Sequence, residues 1–442
     1  MTARDAVSPV ASRADGEGVT RRAPFSDNPR VGARGQRTRQ RILDAALQLF
    51  GDEGFHQCSI ARISELASCS RVSFYQYFSG KEDVFSSLAG QVARQISASS
   101  EALDPLTPDA SGWDGLRAWV GRYGDIHARY GPVFQAFPTT FKDDERLTTA
   151  SARLSDQSVS RIRSKLSTSD LPDRQLDPLI AQLIACLTRT LDDAATLRGA
   201  APEAYPRERI EVAFTDVMHR SLFGRNPFNA HPARPLHPPR VEFGPDVGAM
   251  MVKEEAIRSG ADKRAALNAL VRNGRDVFVQ HGYHATRVDD LAAAAGVSHG
   301  VFYRYFENKN ELAIVLTVQA MRAVGDAFMG IPDLAAGNGP ELRRWFRRYN
   351  AAQIGEAAMI RVWVEAALED ARMRSLSASA LDWGRRRMVR VLGRAGTGDV
   401  DVEAIVMVAL LGTFGSRPRA AATVDAAANI VERGLLSGGV GF

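Results

Sequence analysis

A guanidinium, two phenols and an ammonium lie within eleven consecutive positions of this 442-residue chain, at Arg71, Tyr75, Tyr77 and Lys81. On a helix starting at Ser70, residues Arg71, Ser73, Tyr75 and Tyr77 reach outward, whereas Phe74 and Phe78 fall on the packing side. A short helix lying in a major groove presents its first residues and one face to base edges, while nearby cations hold phosphates. Arg71 can then read a guanine through paired hydrogen bonds, worth about 1–3 kcal/mol of discrimination. Tyr75, Tyr77 and Lys81 suit the sugar-phosphate backbone, and Ser59 and Gln76 complete this candidate DNA surface.

The arrangement occurs twice. Residues 50–84 and 278–312 align without a gap, and ten of the 35 positions are identical: Phe50, Gly54, His56, Ala67, Ser70, Phe74, Tyr75, Tyr77, Phe78 and Lys81 recur as Phe278, Gly282, His284, Ala295, Ser298, Phe302, Tyr303, Tyr305, Phe306 and Lys309. In the second copy His299, Val301, Tyr303 and Tyr305 stand where the first has Arg71, Ser73, Tyr75 and Tyr77. Arg304 and Lys309 are its candidate phosphate contacts, and Arg287 joins the same surface. Different readers on the two helices predict a preference for different half-sites.

Each surface needs a pair of short helices to position it. Ile42, Ala46, Leu49 and Phe50 line one face of a first helix, and Gly54 offers a left-handed stop. Ser59 can cap a second helix that turns Ile60, Ile63 and Leu66 inward, with a tight turn over Ala67–Cys69 leading to Ser70. In the second copy Thr286 and Asp289 fit a capping box, Gly296 suits a turn needing positive φ, and Ser298 can cap the next helix. Two short helices joined by a tight turn form a helix-turn-helix. These domains are placed at 36–90 and 257–318. Residues 1–35 read as a disordered tail, and the acid-free stretch RVGARGQRTRQR carries Arg30, Arg34, Arg37, Arg39 and Arg41 up to the first helix. Arg37 and Arg39 are candidate phosphate contacts.

Behind each head the pattern is helical, predicting an all-α protein with bundles at 91–223 and 319–442. Leu176, Leu179, Ile180, Leu183, Ile184, Leu187 and Leu191 form a wide apolar stripe, followed by Ile210, Ala213, Phe214 and Val217. Ile405, Val406, Val408, Leu410, Leu411 and Phe414, then Val424, Ala427, Val431 and Leu435, are the counterparts. Such stripes serve as core or as subunit contact. Between the halves, residues 224–256 are rich in Pro and His and read as a linker.

At SRVSFYQYFSGKEDV and SHGVFYRYFENKNEL the sequence resembles the TetR family of bacterial transcriptional regulators, in which an aromatic pair, a further aromatic and a helix-opening Lys recur at this spacing. The resemblance is strong over both helix-turn-helix regions and general elsewhere. It implies two tandem TetR-like halves, each a DNA-binding head followed by a ligand and dimerisation bundle. It further implies binding to an inverted repeat of double-stranded DNA as a twofold dimer through helices near the C-terminus, and repression relieved by a small hydrophobic effector. One chain could mimic that dimer by pairing the stripe after Leu176 with the stripe after Ile405; a homodimer is the other arrangement. Ser68 and Cys69 replace Gly296 and Val297, so the first turn forms without glycine, and Gly274 replaces Ala46 at a loss of roughly 1 kcal/mol of helix propensity.

Composition bounds the alternatives. Net charge is +5, apolar residues make up 45% and charged residues 24%, ordinary for a globular chain of two domains. Cys58, Cys69 and Cys186 have neither disulfide nor zinc spacing. With no apolar leader and no run approaching the roughly 18 residues of a membrane span, the chain reads as cytoplasmic. GVSHG at 296–300 matches a hydrolase nucleophile elbow at Ser298, but that elbow follows a strand and this one follows a helical pattern. His281, His284, His231 and His237 lack metal-ligand partners, and no nucleotide-binding loop occurs, so no cofactor, metal or catalytic residue is expected. A third alternative is a ligand-binding or protein-interaction module with degenerate heads. Trp119, Tyr123, Phe134 and Phe137, with Trp345, Tyr349 and Trp363, are core or effector-pocket candidates.

Overall fold

The computed structural model describes residues 33–141, 144–224, 240–242, 245–259, 264–334, 339–393, 398–414 and 420–436. Among these the protein is all-α, without a strand; Leu106 and Leu166 make an isolated parallel bridge. The first half contains α1 (Ala33–Asp52), α2 (Ile60–Leu66), α3 (Arg71–Tyr77), α4 (Lys81–Glu101), α5 (Ala110–Thr140), α6 (Glu145–Lys165), α7 (Asp173–Ala200) and α8 (Arg207–Phe223). After α9 (Pro245–Arg258), the second contains α10 (Ala265–Ala285), α11 (Val288–Ala294), α12 (His299–Tyr305), α13 (Lys309–Met329), α14 (Gly339–Gly355), α15 (Ala357–Glu369), α16 (Ala371–Leu392), α17 (Val400–Gly412) and α18 (Ala420–Asn429). A π-helical turn over Ile430–Leu435 continues α18.

Two segments differ from the sequence reading. The supposed linker contains α9, whose Val247 and Glu254 are buried and whose Glu254 pairs with Arg322 of α13 at 2.8 Å. Tertiary contacts therefore order a stretch that lacks a clear apolar period. Residues 225–239, with His231 and His237, lie outside the described residues, as do Arg30 and most of the expected tail, while α1 already begins at Ala33. Helix α13 is also long and apolar enough by length and composition to cross a membrane, contrary to the sequence survey. Its run Leu312–Val318 is buried and belongs to the hydrophobic core around α10, α12 and α15, which accounts for that apolarity.

Residues 33–46 and 59–84 form one compact unit, and 47–58 with 85–436 another. In the first unit Ile42, Ala46, Ile63, Phe74 and Phe78 are buried, as the sequence periodicity requires, whereas Leu66, expected to turn inward on α2, is 44% exposed and Ile60 is half-buried. In the second, carboxylate caps set the helix starts: Asp109, Asp144, Asp370 and Asp399 accept hydrogen bonds from backbone N–H groups of α5, α6, α16 and α17. Gly224, at φ 74°, ends α8 in the left-handed region.

The apolar stripes of the two halves pack on one another. Helix α17 lies against α7, α8 and α16, and is buried on nearly every side; α18 packs on α7 and its π-helical continuation on α8. Polar contacts across this interface have approximate twofold symmetry. Arg220 Nε donates to the Gly434 carbonyl at 2.7 Å, and Arg433 Nε donates to the Ser221 carbonyl at 3.0 Å. Each arginine also meets an acid of the other half, Arg220 with Glu403 at 2.5 Å and Arg433 with Asp170 at 2.6 Å. A Cβ on Gly434 would come within 2.4 Å of Ser221 Oγ and 3.0 Å of the Val217 carbonyl, so the close approach requires glycine there. His56 and His284, equivalent residues of the repeat, stack with ring centroids 3.6 Å apart.

Candidate nucleic-acid interface

Local hydrogen bonds build both helix-turn-helix motifs. Ser59 Oγ accepts from Arg62 N at 3.3 Å, and Ser70 Oγ from Ser73 N at 3.0 Å. Ser298 Oγ accepts from Val301 N at 3.4 Å, so all three serines cap as the sequence predicts. The turns are copies of each other: Ser68 N and Cys69 N reach Glu65 O and Ser64 O at 3.0 and 2.9 Å, while Gly296 N and Val297 N reach Ala293 O and Ala292 O at 3.0 Å each. The shared left-handed residue is Gly296 at φ 66° in one head and Ser68 at φ 50° in the other. Among the described residues Ser68 alone among non-glycines has positive φ, a conformation costing an L-residue roughly 1–2 kcal/mol. Thr286 is not the cap of α11. Arg287 occupies that position, its N–H bonded to Asp290 Oδ2 at 3.1 Å, while the Thr286 hydroxyl turns back to Gly282 O at 2.6 Å.

On α3, Arg71, Tyr75 and Gln76 are exposed and Ser73 and Tyr77 half-buried, with Phe74 and Phe78 in the core. Val72, which the sequence reading passed over, is 73% exposed. On α12, His299, Tyr303 and Arg304 are exposed, Val301 and Tyr305 half-buried, and Phe302 and Phe306 buried. Asp289 lies 3.6 Å from His299 Nδ1, and the Tyr303 ring sits 5.0 Å from the imidazole. Arg287 and Ser59 are exposed at their helix starts, and Lys81 is half-buried.

Three expected contacts take another form. Lys309 Nζ donates to the carbonyls of Tyr283, Thr286 and His284 at 2.7, 3.1 and 3.4 Å and lies 4.5 Å from the Tyr283 ring centre. It ties the end of α10 to the start of α13 instead of standing out toward phosphate. Tyr305 packs against the core with the Arg264 guanidinium over its ring at 5.2 Å, so its side chain is held inward. Arg39 lies in α1 with its guanidinium 5.1 Å from the centre of Phe78, leaving Arg34, Arg37 and Arg41 as the exposed arginines of that helix. Spacings of three and four residues put these on one helical face.

Lys253 of α9 was also missed. Its Nζ donates to the Tyr305 carbonyl and sits 4.0 Å from the Phe306 ring centre, closing the C-terminal end of α12. No signal in the linker composition points to it. Gly274, read as a propensity defect, has a packing reason: a Cβ there would lie 2.9 Å from Leu312 Cδ2 and 3.5 Å from Leu291 Cδ2.

The competing chemistry finds little geometry. GVSHG runs from the turn after α11 into the first residues of α12, with Ser298 Oγ engaged as a cap. Burial pushes the Cys69 thiol up and that of Cys186 to about 12, so neither is poised as a thiolate. Among the described residues no group of three or more His, Cys, Asp or Glu could hold a metal. Trp119, Trp345 and Tyr349 are packed core. The surface hollows beside α4 and α6 are lined instead by residues such as Ser97, Ser100, Glu101, Gln157 and Arg161.

Comparison with known proteins agrees with the repeat. Residues 42–88 and 270–316 each match the domain described as "Bacterial regulatory proteins, tetR family". The HTH-type transcriptional regulator AcrR of Shigella flexneri is 42% identical over 53 residues, covering 12% of this chain and 25% of that protein. The Transposon Tn10 TetC protein of Escherichia coli is 37% identical over 49 residues, 11% and 25% of the two chains. The fatty acid metabolism regulator protein of Bacillus subtilis is 34% identical over 59 residues, 13% and 30%. The matches thus span a quarter to a third of these relatives' lengths. With two matched domains and two copies of one capped helix-turn-helix in an all-α body, the chain carries the DNA-binding domain of the TetR family of bacterial regulatory proteins twice.

Proposed function

We propose that this protein is a cytoplasmic transcriptional regulator whose single chain acts as a pseudo-dimer, laying α3 and α12 on the two unlike halves of an imperfect inverted repeat. The observation that carries the reading is the reciprocal pair at the interface of the halves, Arg220 to Gly434 O and Arg433 to Ser221 O. In a twofold homodimer, residue i of one subunit meets residue j of the other and the reverse; here one chain supplies both sides. Its activity is binding, not catalysis. Repression, and release by a small hydrophobic ligand, rest on the family resemblance.

The test has two arms. Sedimentation of the full chain, free and with duplexes selected from a random pool, should give one chain per duplex; two chains per duplex at low concentration refute the pseudo-dimer. Arg71→Ala should relax sequence preference in one half-site only, and an unchanged preference refutes the base-reading role.

A further inference from the structure

Val72 is the most exposed large apolar side chain among the described residues, at 73%. It is the second residue of α3, between exposed Arg71 and capped Ser73, and Tyr75 follows at 43% exposure. The helix beneath it is pinned by the Ser70 cap and by Phe74 and Phe78 in the core. A β-branched side chain on a helix keeps essentially one χ1 rotamer, so its two methyl groups point in a set direction. The repeat supplies an internal comparison. The equivalent residue of α12 is Gly300, where an added Cβ would meet nothing within 4 Å.

Resting on the DNA-reading function proposed above, we propose that Val72 is a specificity-determining residue. Its methyl groups seat against the 5-methyl group of a thymine in the half-site read by α3. Thymine is the one base presenting a methyl group in the major groove, and apolar side chains recognise it by contact. Arg71, exposed at the first position of α3, brings a cation to the same end of this helix, suited to an anionic duplex. The α12 head, with glycine at this position, makes no such contact, so thymine discrimination differs between the two half-sites.

The experiment uses the full chain and a duplex selected from a random pool, the α3 half-site being the one whose preference Arg71→Ala relaxes. Each thymine is replaced in turn by deoxyuridine, which removes only the methyl group. Wild type is expected to lose affinity about fourfold at one position of the α3 half-site, the value of one buried methyl group. Val72→Ala should bind thymine and deoxyuridine duplexes alike at that position, about as weakly as wild type binds the deoxyuridine duplex. Val72 faces solvent and alanine favours helix, so this variant retains the fold. The proposal is overturned if no position in that half-site responds, or if Val72→Ala still discriminates the methyl group. It is equally overturned if the substitution alters self-association and leaves thymine dependence intact. Failure of wild type to bind any duplex overturns the regulator reading as well.

Discussion

Arg220 and Arg433 make alike contacts in unlike surroundings, so truncating each to alanine separates burial from geometry. The side chains of Arg220 and Glu403 are 3% and 1% exposed. Desolvation holds the Glu403 carboxyl above its usual range against the pull of Arg220. Arg220→Ala leaves a buried carboxylate without its counter-ion, a loss of about 3–5 kcal/mol. Arg433→Ala releases Asp170, 63% exposed, which water can solvate. That ion pair contributes about 0–1 kcal/mol, and the lost bond to the Ser221 carbonyl about 1 kcal/mol more. Urea unfolding followed by tryptophan fluorescence should therefore place Arg220→Ala well below Arg433→Ala, with amide exchange rising in α8 and α17.

The pH dependence has a definite sign. Glu403 has a raised folded pKa, so its contribution is favourable below the unfolded pKa and is lost as pH rises through the folded one. Removing the guanidinium raises that pKa further. The deficit of Arg220→Ala should consequently shrink under mildly acidic conditions and widen at alkaline pH. The double variant Arg220→Met/Glu403→Leu, which removes both charges, should return close to wild-type stability. Equal losses for the two alanine variants, or a double variant as damaged as the single, would refute the reasoning.

Four further outcomes follow from single side chains. Lys309→Met should destabilise the α10–α13 junction by about 1–3 kcal/mol without changing the slope of DNA affinity against salt, because its ammonium is held by backbone carbonyls. Gly274→Ala should reduce stability by about 1 kcal/mol net, because crowding of buried Leu312 outweighs the gain in helix propensity; a thermal melt showing a gain would contradict it. Ser68→Gly should stabilise by about 1 kcal/mol by relieving its left-handed backbone. Asp193, pushed up to about 6 by burial against the pull of Arg189, contributes favourably below its unfolded pKa and loses that contribution as pH rises through 6. Asp193→Asn should accordingly flatten the wild-type decline in urea midpoint between acidic and alkaline buffers.

Much of the site was legible because its determinants are local. A serine oxygen caps an N–H three residues on, a phenylalanine four residues from another returns to the same helix face, and glycine or serine closes the turn at Gly296 or Ser68. The 35-residue repeat let one copy check the other. The two wide stripes were likewise legible as apolar surfaces, since periodicity alone reveals a face that must be covered.

What covers those faces was decided by distant parts of the chain. Arg220 meets Glu403 and Gly434 from 183 and 214 residues away, and no spacing rule encodes such a pairing. Lys309 looked like a phosphate ligand because its neighbours matched, yet the carbonyls ending α10 occupy it from 23 to 26 residues upstream. The same holds for α9, which owes its order to Arg322 and the α13 core more than to its own pattern. Short-range hydrogen bonding and side-chain period thus determined the heads from sequence alone. The union of the halves, and which cations remain turned outward, awaited the tertiary structure, because burial and charge pairing depend on residues that meet only after the chain has folded.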